Sequence, residues 1–158
     1  MFRSLRRKKN ALSIEEAKAL LHSARRGVLA VNGEDGYPYA IPLNYWYDEE
    51  SQRIFFHSAK AGYKVDALNA CDKVCFTVYG NETIGEDTWA PYVQSTVAFG
   101  RCHAMENEAE AREALRRFAG KYYPNEELIT ATIEKDWHAV KMYQIDIEHL
   151  CGKQVQER

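Results

Sequence analysis

The hydrophobic period of this chain changes once, from 3.6 residues to 2, and that change governs what it can become. Ile14, Ala17, Leu20, Leu21 and Ala24 recur at helical spacing. Ser13-Ile14-Glu15-Glu16 ahead of them is a capping box, in which a hydroxyl and a carboxylate satisfy reciprocal backbone donors. Gly27 follows the last turn, where a left-handed cap favours glycine. Strand patterns then take over. Residues 28–31 form a short strand, 33–36 a turn, about 37–47 a second strand and 48–51 another turn. Third and fourth strands are expected over 53–57 and 73–79, a polar loop holding Trp89 over 80–91, and a long strand from 92 to about 105. Asn107 caps a helix over 108–120 with Ala111, Ala114, Leu115 and Phe118 inward; a second helix covers about 126–135 and a last strand 139–147. Six strands with short turns and a few peripheral helices predict an α+β fold built on a closed or nearly closed antiparallel barrel.

Residues 1–12 read as a basic arm, 13–150 as one domain and 151–158 as a tail. With 158 residues, 46% of them hydrophobic and 28% charged, the chain holds a core of its own and is not disordered. The longest unbroken apolar run is Val28 to Val31, far short of the ~20 residues of a membrane helix. No apolar segment follows the basic start, so no secretory signal is expected and a cytoplasmic location is. The first 14 residues carry a charge of +5 and the rest −7. An acidic body does not suit nucleic acid, and the arm reads as a solvated tail or a strap across a partner subunit. Cys71, Cys75, Cys102 and Cys151 are expected as reduced thiols, and the scattered histidines show no metal-binding spacing.

Two features point to a ligand. Pro38 and Pro42 stand four apart in the second strand, so both missing N–H groups fall on one edge. That edge is unpaired, either as a plain sheet edge or where a ligand or subunit approaches. Tyr37, Tyr39, Tyr45, Trp46 and Tyr47 crowd the same strand, with donors expected at Leu43 and Asn44 for a flat heteroaromatic ring. The second feature is the passage from the third strand into a short helix. It gathers His57, Ser58, Lys60 and Lys64, with small Ala59, Ala61 and Gly62 between them. Small residues admit backbone N–H groups, the helix start is positive, and lysines supply charge, which together suit a phosphate. A solvated basic turn is the plainer reading of the same residues, and neither a P-loop nor a dinucleotide glycine motif is present.

The stretches Gly33-Glu34-Asp35-Gly36-Tyr37-Pro38-Tyr39-Ala40-Ile41-Pro42-Leu43-Asn44-Tyr45 and Ile54-Phe55-Phe56-His57-Ser58-Ala59-Lys60-Ala61-Gly62-Tyr63-Lys64 resemble the pyridoxamine 5'-phosphate oxidase-like flavin-binding split barrels. Arg6-Arg7-Lys8, residues 92–100 and residues 145–153 resemble the nitroimidazole-resistance branch of that family. The resemblance implies a six-stranded split barrel and a homodimer with FMN at the subunit interface. Ile41, Pro42, Leu43 and Asn44 would then face the flavin ring. His57, Ser58, Ala59, Lys60, Gly62, Tyr63 and Lys64 would surround the phosphate, and Trp89, Tyr92 and Ser95 would reach the cofactor of the opposite subunit. Vitamin B6 oxidases carry an arginine near the position of Tyr39 and a C-terminal segment rich in Arg and Trp. Residues 152–158 here have no such segment, which argues against pyridoxamine phosphate as substrate. The expected function is an FMN-dependent oxidoreductase. It would take electrons from a reduced nicotinamide (NADH or NADPH) and pass them to a small acceptor such as a nitro compound, with His57 as cofactor ligand or proton donor. The alternative is a flavin or haem carrier or sensor on the same barrel, with His57, His103 and His138 as axial candidates.

Overall fold

The structure, a computed structural model, describes residues 2–87 and 89–156. Helix α1 (Ile14–Ser23) leads into β1 (Arg26–Asn32), β2 (Pro38–Asn44), β3 (Trp46–Asp48) and β4 (Arg53–Ala59). Then follow α2 (Tyr63–Ala70), β5 (Lys73–Ile84), β6 (Pro91–Ala104), α3 (Glu108–Gly120), α4 (Glu126–Asp136) and β7 (Val140–Gln156). All strand pairs are antiparallel, in the order β2-β1-β5-β6-β7-β4-β3. The strands number seven rather than the expected six, because the stretch read as one strand over 37–47 breaks at Tyr45. Its halves lie at opposite ends of the strand order, β2 on β1 and β3 on β4. One bent strand thus curls the sheet round and closes it at Tyr45. Counted as a single strand, it restores a six-stranded barrel split between β2 and β4.

Tyr45 is fully buried, and its hydroxyl donates to the carbonyl of Leu21 near the end of α1. Its N–H donates to the Tyr122 hydroxyl at 3.0 Å, and that hydroxyl lies 2.7 Å from the Arg25 carbonyl. Lys121 donates to the carbonyl of Ala24 at 2.6 Å, with its ammonium 3.9 Å from the Tyr45 ring centroid. Carbonyls left over at the end of a helix need such partners. Leu29, Val31, Tyr47, Ile54, Phe56, Phe76, Val78 and Ile145 fill the barrel together with Leu20 and Leu21 of α1. A second layer sets Phe55 and Met142 on the outer face against Ala111, Ala114, Leu115 and Phe118 of α3 and Ile129 of α4. The capping box at Ser13 and Glu16 is present, and α3 has the expected bounds.

Several details depart from expectation. Gly27 is not a helix cap: α1 ends at Ala24, and Gly27 lies in β1. A Cβ there would stand 2.3 Å from the Phe76 ring, so the glycine admits a core side chain. Ile14, expected on the buried stripe, is exposed. The polar loop is shorter than expected, because β5 runs on to Ile84. The last strand continues past Ile147, and residues 151–156 belong to it rather than to a tail; Glu157 and Arg158 lie outside the described residues. The basic arm lies on its own chain. Ala11 bridges to Lys153, Leu12 N–H donates to the Gly152 carbonyl at 3.0 Å, and Phe2 stacks on His149. A Cβ on Gly152 would meet Leu12 and Ala17 at 3.0 Å, which is why the strand is bare there.

Candidate functional site

The two edges of the split carry unused backbone groups, and strand parity identifies them. In an antiparallel strand, N–H and C=O of one residue point to the same side, and sides alternate. Gly33 N–H donates to the Tyr37 carbonyl at 2.9 Å, so odd-numbered residues of this strand face β1. Pro38, Ala40, Pro42 and Asn44 therefore turn their backbones outward, on the edge that no strand among the described residues covers. Both prolines thus lack N–H groups only where no ladder needs them. The outward donors are Ala40 and Asn44; Leu43, expected as a donor, gives its N–H to β1. The Ile41 and Leu43 side chains turn toward the barrel interior, while Pro38, Ala40 and Pro42 are exposed.

The facing edge belongs to β4. Ile147 N–H bonds the Gln52 carbonyl at 3.3 Å, which sets even-numbered residues of β4 toward β7. Odd-numbered residues face the other way. Arg53 and Phe55 meet β3 there, but β3 ends at the Trp46–Phe55 pair. His57 and Ala59 accordingly direct their N–H groups into the split. Side chains stand across the plane of these bonds, so the His57 ring leaves the split altogether. It lies on the outer face, edge-on to Phe118 at 5.2 Å. The residue is exposed as a whole, but partial burial of the ring lowers its pKa, and the charge of Lys64 adds to the effect.

At its open end the split is bridged by Tyr63. Its hydroxyl accepts from the Glu34 N–H at 2.7 Å, and its ring meets Tyr39 of β2 edge-on at 4.5 Å. Gly62 just before it has φ +133°, a conformation open essentially to glycine alone, and no atom lies within 4 Å of where a Cβ would stand. The turn therefore swings the chain from β4 into α2 and leaves room beside the helix start. Lys64 projects back over the barrel end, with its ammonium 5.7 Å from the Phe56 ring centroid. It is half-buried, and burial pulls its pKa below the ordinary lysine value. Among the described residues it forms no hydrogen bond and no ion pair, whereas eleven other pairs are made elsewhere. Ser58 is buried and its side chain forms no hydrogen bond among the described residues, and Lys60 is exposed. A half-buried cation, two inward N–H groups and an open turn form the donor set of an anion site, and they fit a phosphate tail.

The structure thus sets Ser58, Ala59, Gly62, Tyr63 and Lys64 around the backbone of His57, with β2 across from them, whereas Lys60 lines a hollow beside Glu106, Glu108 and Lys141. It does not bring Trp89, Tyr92 or Ser95 there. The cradle lies at the Lys73 end of β5, where Asn32 Nδ2 bonds the Lys73 carbonyl at 3.3 Å. From there β5 extends to Ile84 over roughly 35 Å, at ~3.3 Å per residue. Trp89 and Tyr92 lie near that far end and Ser95, opposite Tyr79, about midway, on a ribbon of β5, β6 and β7, and Trp89 is 78% exposed. One residue went unnoticed in the sequence: Ala40, the outward donor; Tyr39, read there only as one of the strand's aromatics, meets Tyr63. The parity of the two prolines was the signal for Ala40. Among the described residues no group of three or more His, Cys, Asp or Glu is gathered to hold a metal ion.

The sequence model of the family described as pyridoxamine 5'-phosphate oxidase matches residues 13–154. Among solved structures, the fold is similar to that of a Bacteroides thetaiotaomicron protein provisionally described as a 5-nitroimidazole antibiotic resistance protein. That pair has a TM-score of 0.79 and 18% identity, covering 92% of this chain and 87% of the other. An FAD and haem binding protein of Mycobacterium smegmatis aligns with a TM-score of 0.75 and 18% identity over 96% of this chain and 75% of the other. An FAD-binding protein of Mesorhizobium loti gives 0.65 and 22% over 92% and 96%. No curated protein matches the sequence at a significant level.

Proposed function

The chain belongs to the pyridoxamine 5'-phosphate oxidase family, and from that premise we propose that the split holds FMN and that the protein is an oxidoreductase. One observation carries the reading: Lys64, a half-buried ammonium without an anionic partner, stands at the end of a groove lined by unused backbone donors. Lys64 and Lys60 would hold the phosphate, and the N–H groups of His57 and Ala59 would bond its oxygens or the adjoining chain. The outward backbone of Ala40 and Asn44 would bond the edge of the flavin ring, with Pro42 against its face. Bound flavin supplies hydride acceptance from a reduced nicotinamide and onward electron transfer to a small acceptor such as a nitro compound. The chain's own residues bind and orient it, and the apolar β2 edge keeps water from the ring. Structural neighbours described as FAD-binding and as FAD and haem binding support a flavin in this fold.

A homodimer belongs to the same proposal. Between Tyr45 and the Tyr63 bridge no strand of the described residues covers the β2 edge, and Tyr79, Ile84 and Trp89 are exposed on the far ribbon. A second copy would bring Trp89 and Tyr92, near the far end of β5, to the cofactor, with Ser95 midway along the same ribbon. Sedimentation should show a dimer at micromolar concentration; a monomer alone would refute that part.

Incubation with FMN followed by desalting should leave a retained visible flavin spectrum, and NADH or NADPH should bleach it under argon. No retained flavin would overturn the cofactor assignment. Retained flavin that no nicotinamide bleaches, with no acceptor turned over, would favour a carrier or sensor, the reading that the FAD and haem binding neighbour supports.

A further inference from the structure

Behind β4, on its outer face, α3, α4 and the start of β7 enclose a cavity of about 150 Å³. That is the size of one benzene-like ring. Leu115, Phe118, Ile129 and Ile133 make it apolar, and Trp137 forms one wall. This wall is fixed in advance: Trp137 Nε1–H donates to Glu108 at 3.2 Å, and the Arg112 guanidinium covers the ring at 4.4 Å. His57 lines the cavity too, and its side chain has no hydrogen-bond partner among the described residues. Tyr123 and Asp136, both exposed, and half-exposed Thr132 complete the lining. The imidazole is itself reached by solvent and is held edge-on by Phe118, so it offers a polar group to whatever enters the apolar part. Partial burial and the nearby Lys64 charge favour its neutral form, which keeps a lone pair able to accept a hydrogen bond.

We propose that this cavity is a second ligand site, for a one-ring aromatic molecule with one hydrogen-bond donor, its ring between Phe118 and Trp137 and its donor on His57. The site is separate from the split, since side chain and backbone of His57 point to different places, and it does not depend on a flavin being present.

Phenol is the probe, with toluene as the same ring lacking the donor, and amide NMR of the full chain as the readout. Phenol should cause saturable shifts at Ile129, Thr132, Ile133 and Phe118, with a Kd of about 1 mM. Toluene should bind ~10-fold more weakly. His57→Phe keeps a ring and removes the acceptor, so phenol should lose its advantage over toluene. Thr132→Phe narrows the cavity at its half-exposed rim and should abolish the shifts; Ala119→Leu replaces it if that variant does not fold. Absence of saturation by about 10 mM phenol, equal affinity for both probes in the unaltered protein, or shifts that survive the filled cavity would each overturn the proposal.

Discussion

Two lysines stand at opposite ends of the split, and they differ in one respect. Both are half-buried, and burial lowers both pKa values, that of Lys121 to about 8. At the closed corner Lys121 caps the Ala24 carbonyl at 2.6 Å and rests on the Tyr45 ring. At the open end Lys64 lies 5.7 Å from the Phe56 ring centroid, within electrostatic reach of His57 and the Cys102 thiol, and has no hydrogen-bond or ion-pair partner among the described residues. Burial alone therefore does not mark a functional cation. An ammonium already bonded is part of the fold, and one left without a partner is available to a ligand.

The sharpest way to break this contrast is to exchange the two side chains' roles. Lys64→Ala should weaken FMN binding ~100-fold, the loss of a charge-assisted hydrogen bond and its field. Urea unfolding should show no loss of stability in that variant. Lys121→Met should leave FMN affinity within about twofold, because its ammonium serves the fold; equal losses in both variants would dissolve the distinction. Fluorescence titration of FMN reads both.

The corner has its own test. Tyr45→Phe leaves the Leu21 carbonyl without its buried donor and should cost ~1–3 kcal/mol in urea unfolding. FMN binding should fall only as far as the fold is loosened.

A pH series sharpens the comparison further. The folded pKa of Lys121 lies below its ordinary 10.5. Between about 8 and 10.5 the unfolded chain keeps a proton that the folded chain has lost. Stability should therefore rise with pH through that window, and Lys121→Met should flatten the rise. Lys64 adds a component of the same sign in the free protein. Saturation with FMN should remove that component, because a phosphate beside the ammonium favours its charged form. The smallest effect belongs to Lys60, which is exposed. Lys60→Ala should weaken FMN binding only ~2–3-fold, and the difference should vanish in high salt.

Local chemistry made much of this legible in the sequence. Helix α3 was readable because its cap at Asn107 and its stripe of Ala111, Ala114, Leu115 and Phe118 are all short-range signals. The proposed cradle could be suggested for the same reason, since Ser58, Gly62 and Lys64 are close in sequence. What escaped depends on distant residues. Tyr45 ends β2 because β3 pairs with β4 while β2 pairs with β1, and nothing local records that choice. Gly27 sits where a helix cap would, but Phe76, remote in sequence, explains it. The second half of β7 is polar and lacks alternation, and it is a strand because β6 offers it a ladder from Phe99 back to Tyr92. His57 shows the limit most clearly: its position in the strand was plain, but the helices that receive its ring lie far along the chain.

The pairing of β4 with β7 has a consequence for synthesis. Arg53 bonds Asp146, a residue 93 positions later. At ~5–20 residues per second, the Ile54-Phe55-Phe56 segment leaves the ribosome roughly 5–20 s before its neighbour exists. During that interval an apolar strand stands bare on one flank, the kind of template on which nascent chains stick to one another. Cellular yield of this protein should therefore respond to translation speed and to holdase chaperones more strongly than the stability of the finished barrel would suggest.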